Sequence, residues 1–479
     1  MLFNSIEFAI FLPVVFLLYW FATGKSLRWQ NILLLIASYV FYGSWDYRFL
    51  FLLMFSTFLD YFTGIKIHEA KPGRMKTFWL WLSISINLGF LGVFKYFNFF
   101  ASSFAELLGM FGIQAGFVTL NVILPVGISF YTFHGLSYVL DLYNDRIKPE
   151  RNYVNYAVFV SFFPLLVAGP IERATHLLPQ IIKKRVFNYS QAVDGMQQII
   201  WGLFKKVVVA DNCAPIVNKI FENPGAFSGS ELLIGVVLFA FQIYCDFSGY
   251  SDIALGTARL FGITLLRNFA FPYFARDIAE FWRRWHISLT TWFRDYLYIP
   301  LGGSRGGKWM SVRNTFIVFL VSGFWHGANW TFIVWGFLNA LYFMPLLLLN
   351  KNRQNLEIAA KGKWLPSVRD LAGMVVTFSL TLIAWVFFRA DSVSGALIFI
   401  QDIFSASLFT APKIRTHYIW VFILILLVFE WIFREKQYGL QFNEVRLHRS
   451  LKWSFMLALA LVIFIFGNFN KTEFIYFAF

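Results

Sequence analysis

EFWRRWHISLTTWFRDYLYIPLGG, from Glu280 to Gly303, lies in the stretch Asp246–Trp330, around which the rest of the chain is organised. Apolar side chains recur in it at helical spacing, at positions 281, 285, 289, 292 and 296. Together with its arginines and tryptophans, this pattern predicts a helix that lies at a membrane surface. A second stretch, VSGFWHGANW from Val321 to Trp330, belongs to an apolar segment long enough to cross a bilayer. We therefore expect His286 near the interface and His326 inside the hydrocarbon.

The composition is that of an integral membrane protein. Apolar residues make up 58% of the 479 positions and charged residues only 14%, and apolar runs of bilayer-spanning length recur from end to end. Aromatic residues amount to 21%, which suits lipid-facing helices and argues against a soluble core. A net charge of +15 is compatible with nucleic-acid binding, but Lys and Arg are concentrated in alternate loops, as the positive-inside rule requires. We expect contact with membrane lipid and none with nucleic acid.

The apolar runs predict an all-α, polytopic membrane protein with about 11–12 transmembrane helices. Basic and uncharged loops alternate through residue 151, which places the N-terminus outside, and an even count of crossings places residues 468–479 outside as well. Residues 155–171 carry two prolines within FFPLLVAGPIER and are predicted to form a re-entrant segment. The predicted spans lie near 6–23, 30–45, 48–65, 77–99, 120–142, 195–210, 230–245, 314–329, 330–349, 371–388, 418–433 and 450–467.

His326 is a candidate general base. A neutral imidazole, with an ordinary pKa of about 6.5, can take a proton from a hydroxyl at neutral pH, and burial keeps a histidine neutral. The small residues Gly323, Gly327 and Ala328 would let a substrate approach the backbone, and Trp325 adjoins the ring. The alternative is a polar side chain that hydrogen-bonds between helices. The density of Trp, His and Gly around His326 favours the catalytic interpretation.

Other polar residues allow two interpretations each. His286, beside Arg283 and Arg284, could orient a substrate or bind phosphate, and the alternative is a surface helix whose arginines face anionic headgroups. In DFSGYSD, from Asp246 to Asp252, Asp252 could pair with an arginine, and the alternative is a helix-end cap.

The glycines around Arg305 resemble a phosphate loop in composition only, and without a Walker pattern nucleotide hydrolysis is not expected. Cys213 and Cys245, the only cysteines, predict neither a disulfide framework nor a thiolate metal site and are interpreted as buried and inert.

Three runs together resemble the membrane-bound O-acyltransferase family: YCDFSGYSDIALGTARLFG, NFAFPYFARDIAEFWRRWHISLTTWFRDYLYIPLGG and VSGFWHGANWTFIVWGFLNA. The likeness is nearly collinear along the chain, so residues 1–479 are interpreted as one membrane domain with a catalytic core at about 120–350. Within the family, the runs are most similar to the proteins that acetylate alginate and peptidoglycan. The resemblance implies helices around a central tunnel.

The resemblance also implies an activity and a site. It implies acetyl-CoA as the cytoplasmic donor, His326 as the catalytic residue, His286 on the donor side, and no metal. The candidate donor-binding residues are Arg283, Arg284, Arg305 and Trp325, and the candidate supporting polar residues are Asp246, Asp252 and Asn329.

The ending EFIYFAF, residues 473–479, resembles a short C-terminal motif of alginate-type subunits, in which a tyrosine is proposed to carry the acyl group onward. Tyr476 holds that position, and Ala478 stands where Gln is more usual. The alternative is an interfacial aromatic residue without a chemical role.

The resulting hypothesis is an O-acetyltransferase of the bacterial inner (cytoplasmic) membrane that passes acetyl groups to an extracytoplasmic polysaccharide, with a secreted or periplasmic SGNH-type partner making the final transfer. A first alternative is the D-alanyl transfer protein of teichoic acid modification, but its tail motif lies on a separate peptide. A second is a transporter or flippase of acyl donor or glycan lipid, for which inverted repeats or paired broken helices would be expected.

Overall fold

The computed structural model describes residues 1–113, 116, 120, 124–166, 169–442, 448–469 and 474–475. All regular secondary structure in these residues is helical. The chain divides into two compact units, the first comprising Met1, Glu7–Phe187 and Ile263–Leu265, and the second Leu2–Ile6, Asn188–Gly262 and Leu266–Phe479.

The first unit contains nine described α-helices: α1 (Ile6–Leu17), α2 (Leu27–Gly43), α3 (Tyr47–Glu69), α4 (Arg74–Leu91), α5 (Phe97–Met110), α6 (Ile128–Tyr143), α7 (Tyr153–Ser161), α8 (Phe163–Leu166) and α9 (Ala174–Ile182). Its buried acid Asp60, on α3, accepts hydrogen bonds from Ser83 Oγ at 2.6 Å and Asn87 Nδ2 at 2.8 Å. Both donors reach Oδ1, and they reduce the cost of burying this polar group inside an apolar helix bundle.

The second unit contains eleven described α-helices: α10 (Tyr189–Leu203), α11 (Asp211–Glu222), α12 (Gly229–Leu260), α13 (Ile278–Arg284), α14 (Ile287–Phe293), α15 (Lys308–His326), α16 (Trp330–Leu348), α17 (Val368–Arg389), α18 (Val393–Ile403), α19 (His417–Ile432) and α20 (Arg449–Phe466). A π-helical turn, Phe204–Ala210, continues α10, and another, Arg294–Tyr298, continues α14. Single π turns inside helices are frequent at functional sites.

Six described helical segments are long and apolar enough to cross a membrane: Tyr47–Glu69, Arg74–Met110, Gly229–Leu260, Trp330–Leu348, Val368–Arg389 and Arg449–Phe466. Three shorter apolar helices are Ile6–Ala22, Val393–Ile403 and His417–Ile432. The all-α, multi-pass prediction is confirmed. The hydropathy-based count of about twelve exceeds these six because some predicted spans correspond to shorter helices, such as α2 with 17 residues and α6 with 16. The stretch 155–171, predicted to be re-entrant and not counted as a span, overlaps α7 and α8, whose nine and four residues are too few to span.

The prediction of one continuous helix over residues 280–303 is wrong. The stretch forms the short helices α13 and α14, separated by His286 with φ 42° and ψ 54°. A right-handed helix cannot continue through a residue in this left-handed conformation. The helical spacing nevertheless identified buried positions, because Phe281, Trp285 and Leu289 are each at most 2% exposed.

Helices α10 and α12 touch through backbone because glycines face each other along the contact. A Cβ added at Gly256 would lie 2.4 Å from the carbonyl oxygen of Gly195, and one at Gly249 would lie 2.8 Å from that of Gly202. Small residues at such positions allow close helix packing in membrane proteins. This contact sets the π turn with Lys205 and Lys206 against the middle of α12.

Helices α15 and α16 form a hairpin that holds His326 at its turn. A Cβ at Gly323 would lie 2.2 Å from Phe332 O, and one at Gly336 would lie 2.3 Å from Phe319 O. The side chain of Asn329 caps α16 by accepting the N–H of Thr331 at 3.0 Å. The hairpin therefore fixes the position of His326, the last residue of α15.

Candidate active site

His286 lies on a strained turn that other residues fix in place. The amide of Ile287 donates to Asn268 O at 2.9 Å, and Ser288 Oγ donates to Asn268 Oδ1 at 3.0 Å. A non-glycine residue with positive φ costs conformational energy, and such residues cluster at functional sites. The clamp from Asn268 holds the His286 side chain toward the interior.

The His286 imidazole is buried without a polar partner. It is fully inaccessible to solvent, and its ring meets the edge of Phe247 at a centroid distance of 4.7 Å. Within the described part of the chain, neither ring nitrogen has a hydrogen-bond partner. Burial lowers its pKa to about 3, so the ring is neutral at physiological pH. Two unengaged nitrogens in a buried histidine can interact with a substrate that enters the site.

His326 lies beside His286. The two ring centroids are 6.4 Å apart, so the structure brings together two residues that are 40 positions apart in the sequence. The sequence could not show this because the chain between them turns back on itself. Their depths in the membrane stay a prediction. The His326 ring is 3% exposed and is surrounded by Trp325 at 4.9 Å, Trp335 at 5.1 Å and Phe388 at 5.5 Å. The aromatic residues around His326 exclude water from the pair.

A cavity of about 510 Å³ borders the His326 turn. Ala328, Asn329, Phe332 and Phe388 belong to its wall, and Phe388 contacts the His326 ring. The histidines themselves do not line it. The charged and amide-bearing residues of the wall are Lys206, Asp211, Asn218, Gln242, Asp246, Asn329, Arg389 and Asp391. Such a mixed lining suits a ligand rich in hydroxyl groups.

Two lysines on the π turn after α10 form ion pairs with aspartates of α11 and α12. Lys206 Nζ lies 2.6 Å from Asp246 Oδ1 and 2.7 Å from Asp211 Oδ1. Lys205 Nζ lies 2.5 Å from Asp252 Oδ2. Burial opposes the charge on Lys206, but Asp246, Tyr250 and Asp211 outweigh it and raise the pKa of this lysine. The lysine pair was missed as site chemistry, although two adjacent lysines in an apolar run are themselves an indication of function.

The structure corrects the interpretation of DFSGYSD. Asp252 pairs with Lys205 and accepts from Gln198 Nε2 at 2.7 Å, whereas the two interpretations of the sequence were an arginine partner and a helix-end cap. It does not cap a helix end, because α12 continues to Leu260. The partner could not be read from the sequence, since it belongs to a different helix brought close by the glycine contacts.

The candidate donor-binding residues do not form one cluster. Arg283 donates to the carbonyl oxygens of Asn352 and Asn355, both at 2.8 Å. Arg284 is buried and pairs with Glu280 Oε1 at 2.6 Å. Arg305 is exposed, and its guanidinium has no partner among the described residues. Trp325 is buried against His326, and its role in donor binding stays a prediction.

The remaining predicted positions are Asn329, Tyr476 and the cysteines. Asn329 caps α16 and donates to Asp391 O at 3.0 Å. Tyr476 lies outside the described residues. Cys213 and Cys245 are both buried and unbridged, as predicted. No group of three or more His, Cys, Asp or Glu side chains suitable for a metal occurs among the residues that the structure describes.

The chain belongs to the membrane-bound O-acyltransferase family, whose model matches residues 149–383. It is 40% identical to the "Probable alginate O-acetylase AlgI" of Pseudomonas aeruginosa over 407 residues, covering 85% of this chain and 75% of that protein.

Two other relatives have different names. Identity to the peptidoglycan O-acetyltransferase of Helicobacter pylori is 37% over 426 residues, covering 83% of this chain and 78% of that one. Identity to the teichoic acid D-alanyltransferase of Bacillus subtilis is 28% over 275 residues, covering 54% and 67%.

Proposed function

We propose that this chain is an O-acetyltransferase of the bacterial inner membrane that takes acetyl groups from cytoplasmic acetyl-CoA for transfer to an extracytoplasmic polysaccharide. The observation that carries the proposal is the buried pair His286–His326 next to a polar cavity. The names of the relatives that share most of the chain, alginate and peptidoglycan O-acetylating proteins, support a polysaccharide acceptor. The proposal includes the prediction that the N-terminus and the C-terminus both lie outside the cytoplasm.

His326 acts as the general base in the proposed reaction. Its ring accepts the proton of an acceptor hydroxyl while the oxygen attacks the thioester carbonyl carbon of acetyl-CoA. The carbon–sulfur bond then breaks, and the protonated imidazole returns the proton to the leaving thiolate, giving CoA thiol and an O-acetyl ester. Exclusion of water by Trp325, Trp335 and Phe388 protects the thioester from hydrolysis.

His286 serves the donor side. It is neutral and buried, and its ring nitrogens have no partner in the described chain, so one N–H can donate to the thioester carbonyl oxygen. Of the candidate arginines, Arg305 is the most available for the CoA phosphates, because Arg283 and Arg284 already hold carbonyl and carboxylate oxygens. Asp246, Asp252 and Asn329 support the walls of the site.

Tyr476 is proposed to receive the acetyl group on its phenol oxygen and pass it to an extracytoplasmic SGNH-type partner. A Tyr476→Phe variant separates this relay from a purely apolar role, since Phe keeps the ring and removes the hydroxyl. The relay predicts loss of glycan acetylation with an unchanged thermal unfolding temperature. Retained acetylation would leave Tyr476 with an apolar role only.

The decisive experiment uses purified full-length protein in nanodiscs with radiolabelled acetyl-CoA and a soluble hydroxyl acceptor. Acetyl-CoA-dependent ester formation, absent in His326→Ala, is the expected result. Transport of labelled donor across the bilayer without thioester cleavage would support a flippase instead. The D-alanyl alternative predicts transfer from a D-alanyl carrier protein and none from acetyl-CoA, and it has the weaker similarity, with 28% identity over 54% of the chain.

A further inference from the structure

The segment Phe474–Ile475, here called the tail segment, is docked in the second unit. Ile475 N donates to Asp246 Oδ2 at 2.7 Å, a contact between residues 229 positions apart. The Phe474 ring is fully buried and meets Tyr250 at 4.7 Å and Phe247 at 5.7 Å. One backbone hydrogen bond and one aromatic side chain therefore hold the tail segment on α12.

The two oxygens of Asp246 have different partners. Oδ1 lies 2.6 Å from Lys206 Nζ, and Oδ2 accepts the amide of Ile475. Lys206 is 1% exposed and Asp246 3%. A carboxylate this deeply buried needs a cation and hydrogen-bond donors, and bonds to charged acceptors are the stronger ones. Lys206 thus orients the carboxylate, and the second oxygen is left for the tail segment.

The docked tail segment adjoins the proposed active site. Ile475 lines the cavity of about 510 Å³ together with Asp246 and the turn residues Ala328 and Asn329. Phe247 contacts both Phe474 and the His286 ring. The tail segment is thus part of the cavity wall, and the Phe247 ring lies between it and His286.

A second ion pair on the same helices provides an internal comparison. Lys205–Asp252 joins the same two elements by the same chemistry, at 2.5 Å, and it is also largely buried. Its other bonds go to Gln198 and Ser248, within the helices themselves. Among the described residues, the Lys206–Asp246 pair contacts the tail segment and the Lys205–Asp252 pair does not, so the second pair serves as a matched comparison.

We propose that Asp246, oriented by Lys206, is a positioning residue whose task is to dock the tail segment of this chain into the cavity wall beside the histidines. Asp246 touches neither histidine and acts through the tail segment. The contacts that dock the tail segment do not depend on which reaction the protein catalyses. A role of the docked tail segment in acyl transfer rests on the proposed function.

The test compares four variants of the full-length protein in nanodiscs by hydrogen–deuterium exchange and mass spectrometry. Ile475→Pro removes the donating N–H and leaves the Lys206–Asp246 and Lys206–Asp211 pairs intact, and Ile475→Val keeps the N–H as its control. Asp246→Ala removes the acceptor, and Asp252→Ala removes the matched carboxylate that does not reach the tail. Peptides from α12 and α15 report on the folding of each variant.

Exchange of the peptide that contains the tail segment should rise by about tenfold in Ile475→Pro and Asp246→Ala, because a hydrogen bond to a charged group is lost. It should stay at the wild-type rate in Ile475→Val and Asp252→Ala. Unchanged tail exchange in Ile475→Pro, which retains the ion pairs and the fold, would overturn the docking. A rise in Asp252→Ala equal to that in Asp246→Ala would also overturn it, because both pairs would then only stabilise the fold.

Acetyl transfer by the same samples separates this inference from the proposed function. Both hold if wild type transfers acetyl and Ile475→Pro loses transfer to the acceptor while its KM for acetyl-CoA stays the same. If wild type transfers nothing but its tail exchange responds as described, the proposed function fails and the docking stands. If Ile475→Pro transfers normally with undisturbed tail exchange, the docking fails and the proposed function stands.

Discussion

The imidazole rings of His286 and His326 lie 6.4 Å apart at an interplanar angle of 52°. His286 follows a short helix on a left-handed turn, and His326 ends a long helix at a hairpin. Rings from three other helices contact them: Phe247 on α12, Trp335 on α16 and Phe388 on α17. A site assembled from several helices explains why the sequence could place Trp325 beside His326 but could not place the two histidines beside each other.

Replacement of His326 by Ala should lower acetyl transfer by about 10² to 10⁴, the usual contribution of a general base. The thermal unfolding temperature should change little, because the surrounding Trp and Phe rings retain most of their contacts. Initial rates with radiolabelled acetyl-CoA are the measurement. His68→Ala, at an exposed position near the end of α3, is the control and should keep the wild-type rate. Equal rates in the two variants would exclude His326 as the base.

His286 should make the protein less stable in acid. Burial lowers its pKa from 6.5 to about 3, so below about pH 6.5 the unfolded chain binds a proton that the folded chain does not. The free energy of unfolding should therefore fall by about 1.4 kcal/mol per pH unit as the pH drops from 6.5 toward 3, with no effect of this group above pH 6.5.

The effect can be isolated by comparing His286→Gln with wild type in thermal unfolding followed by tryptophan fluorescence between pH 7 and pH 4. The variant should show a smaller loss of stability over this range. Some loss will remain, because burial lowers the pKa of His134 in the first unit to about 4 and gives it the same pH dependence. Identical pH profiles would mean that His286 is protonated in the folded protein.

Lys206→Met should destabilise the protein by about 3–5 kcal/mol, since it leaves Asp246 and Asp211 buried without their cation. The double variant Lys206→Met with Asp246→Asn should recover part of this loss, which a double-mutant cycle measures as a coupling energy. Lys205→Met with Asp252→Asn gives the parallel cycle. Additive effects in the Lys206 cycle would show that the pair at 2.6 Å is not coupled.

The glycine contact between α10 and α12 predicts a large difference between two Gly→Ala changes. At Gly256 the new methyl would lie 2.4 Å from the Gly195 carbonyl oxygen, whereas at Gly89 on α4 nothing lies within 4 Å. Gly256→Ala should destabilise by about 1–3 kcal/mol through overpacking, and Gly89→Ala should stabilise by about 0.5–1 kcal/mol through helix propensity. Thermal unfolding gives both values, and a stabilised Gly256→Ala would contradict the close contact.

Much of the fold could be predicted from the sequence, because hydropathy and helical spacing are local properties. The buried faces of Phe281, Trp285 and Leu289 followed from periodicity alone. The break at His286 could not, since Asn268 imposes it through contacts from an earlier segment. The partner of Asp252 was also missed, because which lysine or arginine a carboxylate meets depends on helix packing. Lys205 and Lys206 stand out in the sequence as two charges within an apolar run, and charges in such a position indicate a functional role.

The hairpin that ends α15 at His326 has backbone in contact with backbone on either side, at Gly323 against Phe332 and at Gly336 against Phe319. Helices joined this closely cannot slide or tilt without a steric clash. His326 is thus a stationary group that cannot travel between two substrates. In the proposed reaction, both reactants therefore have to be brought to the same fixed point, and any gating that sets the order of their arrival resides in other parts of the protein.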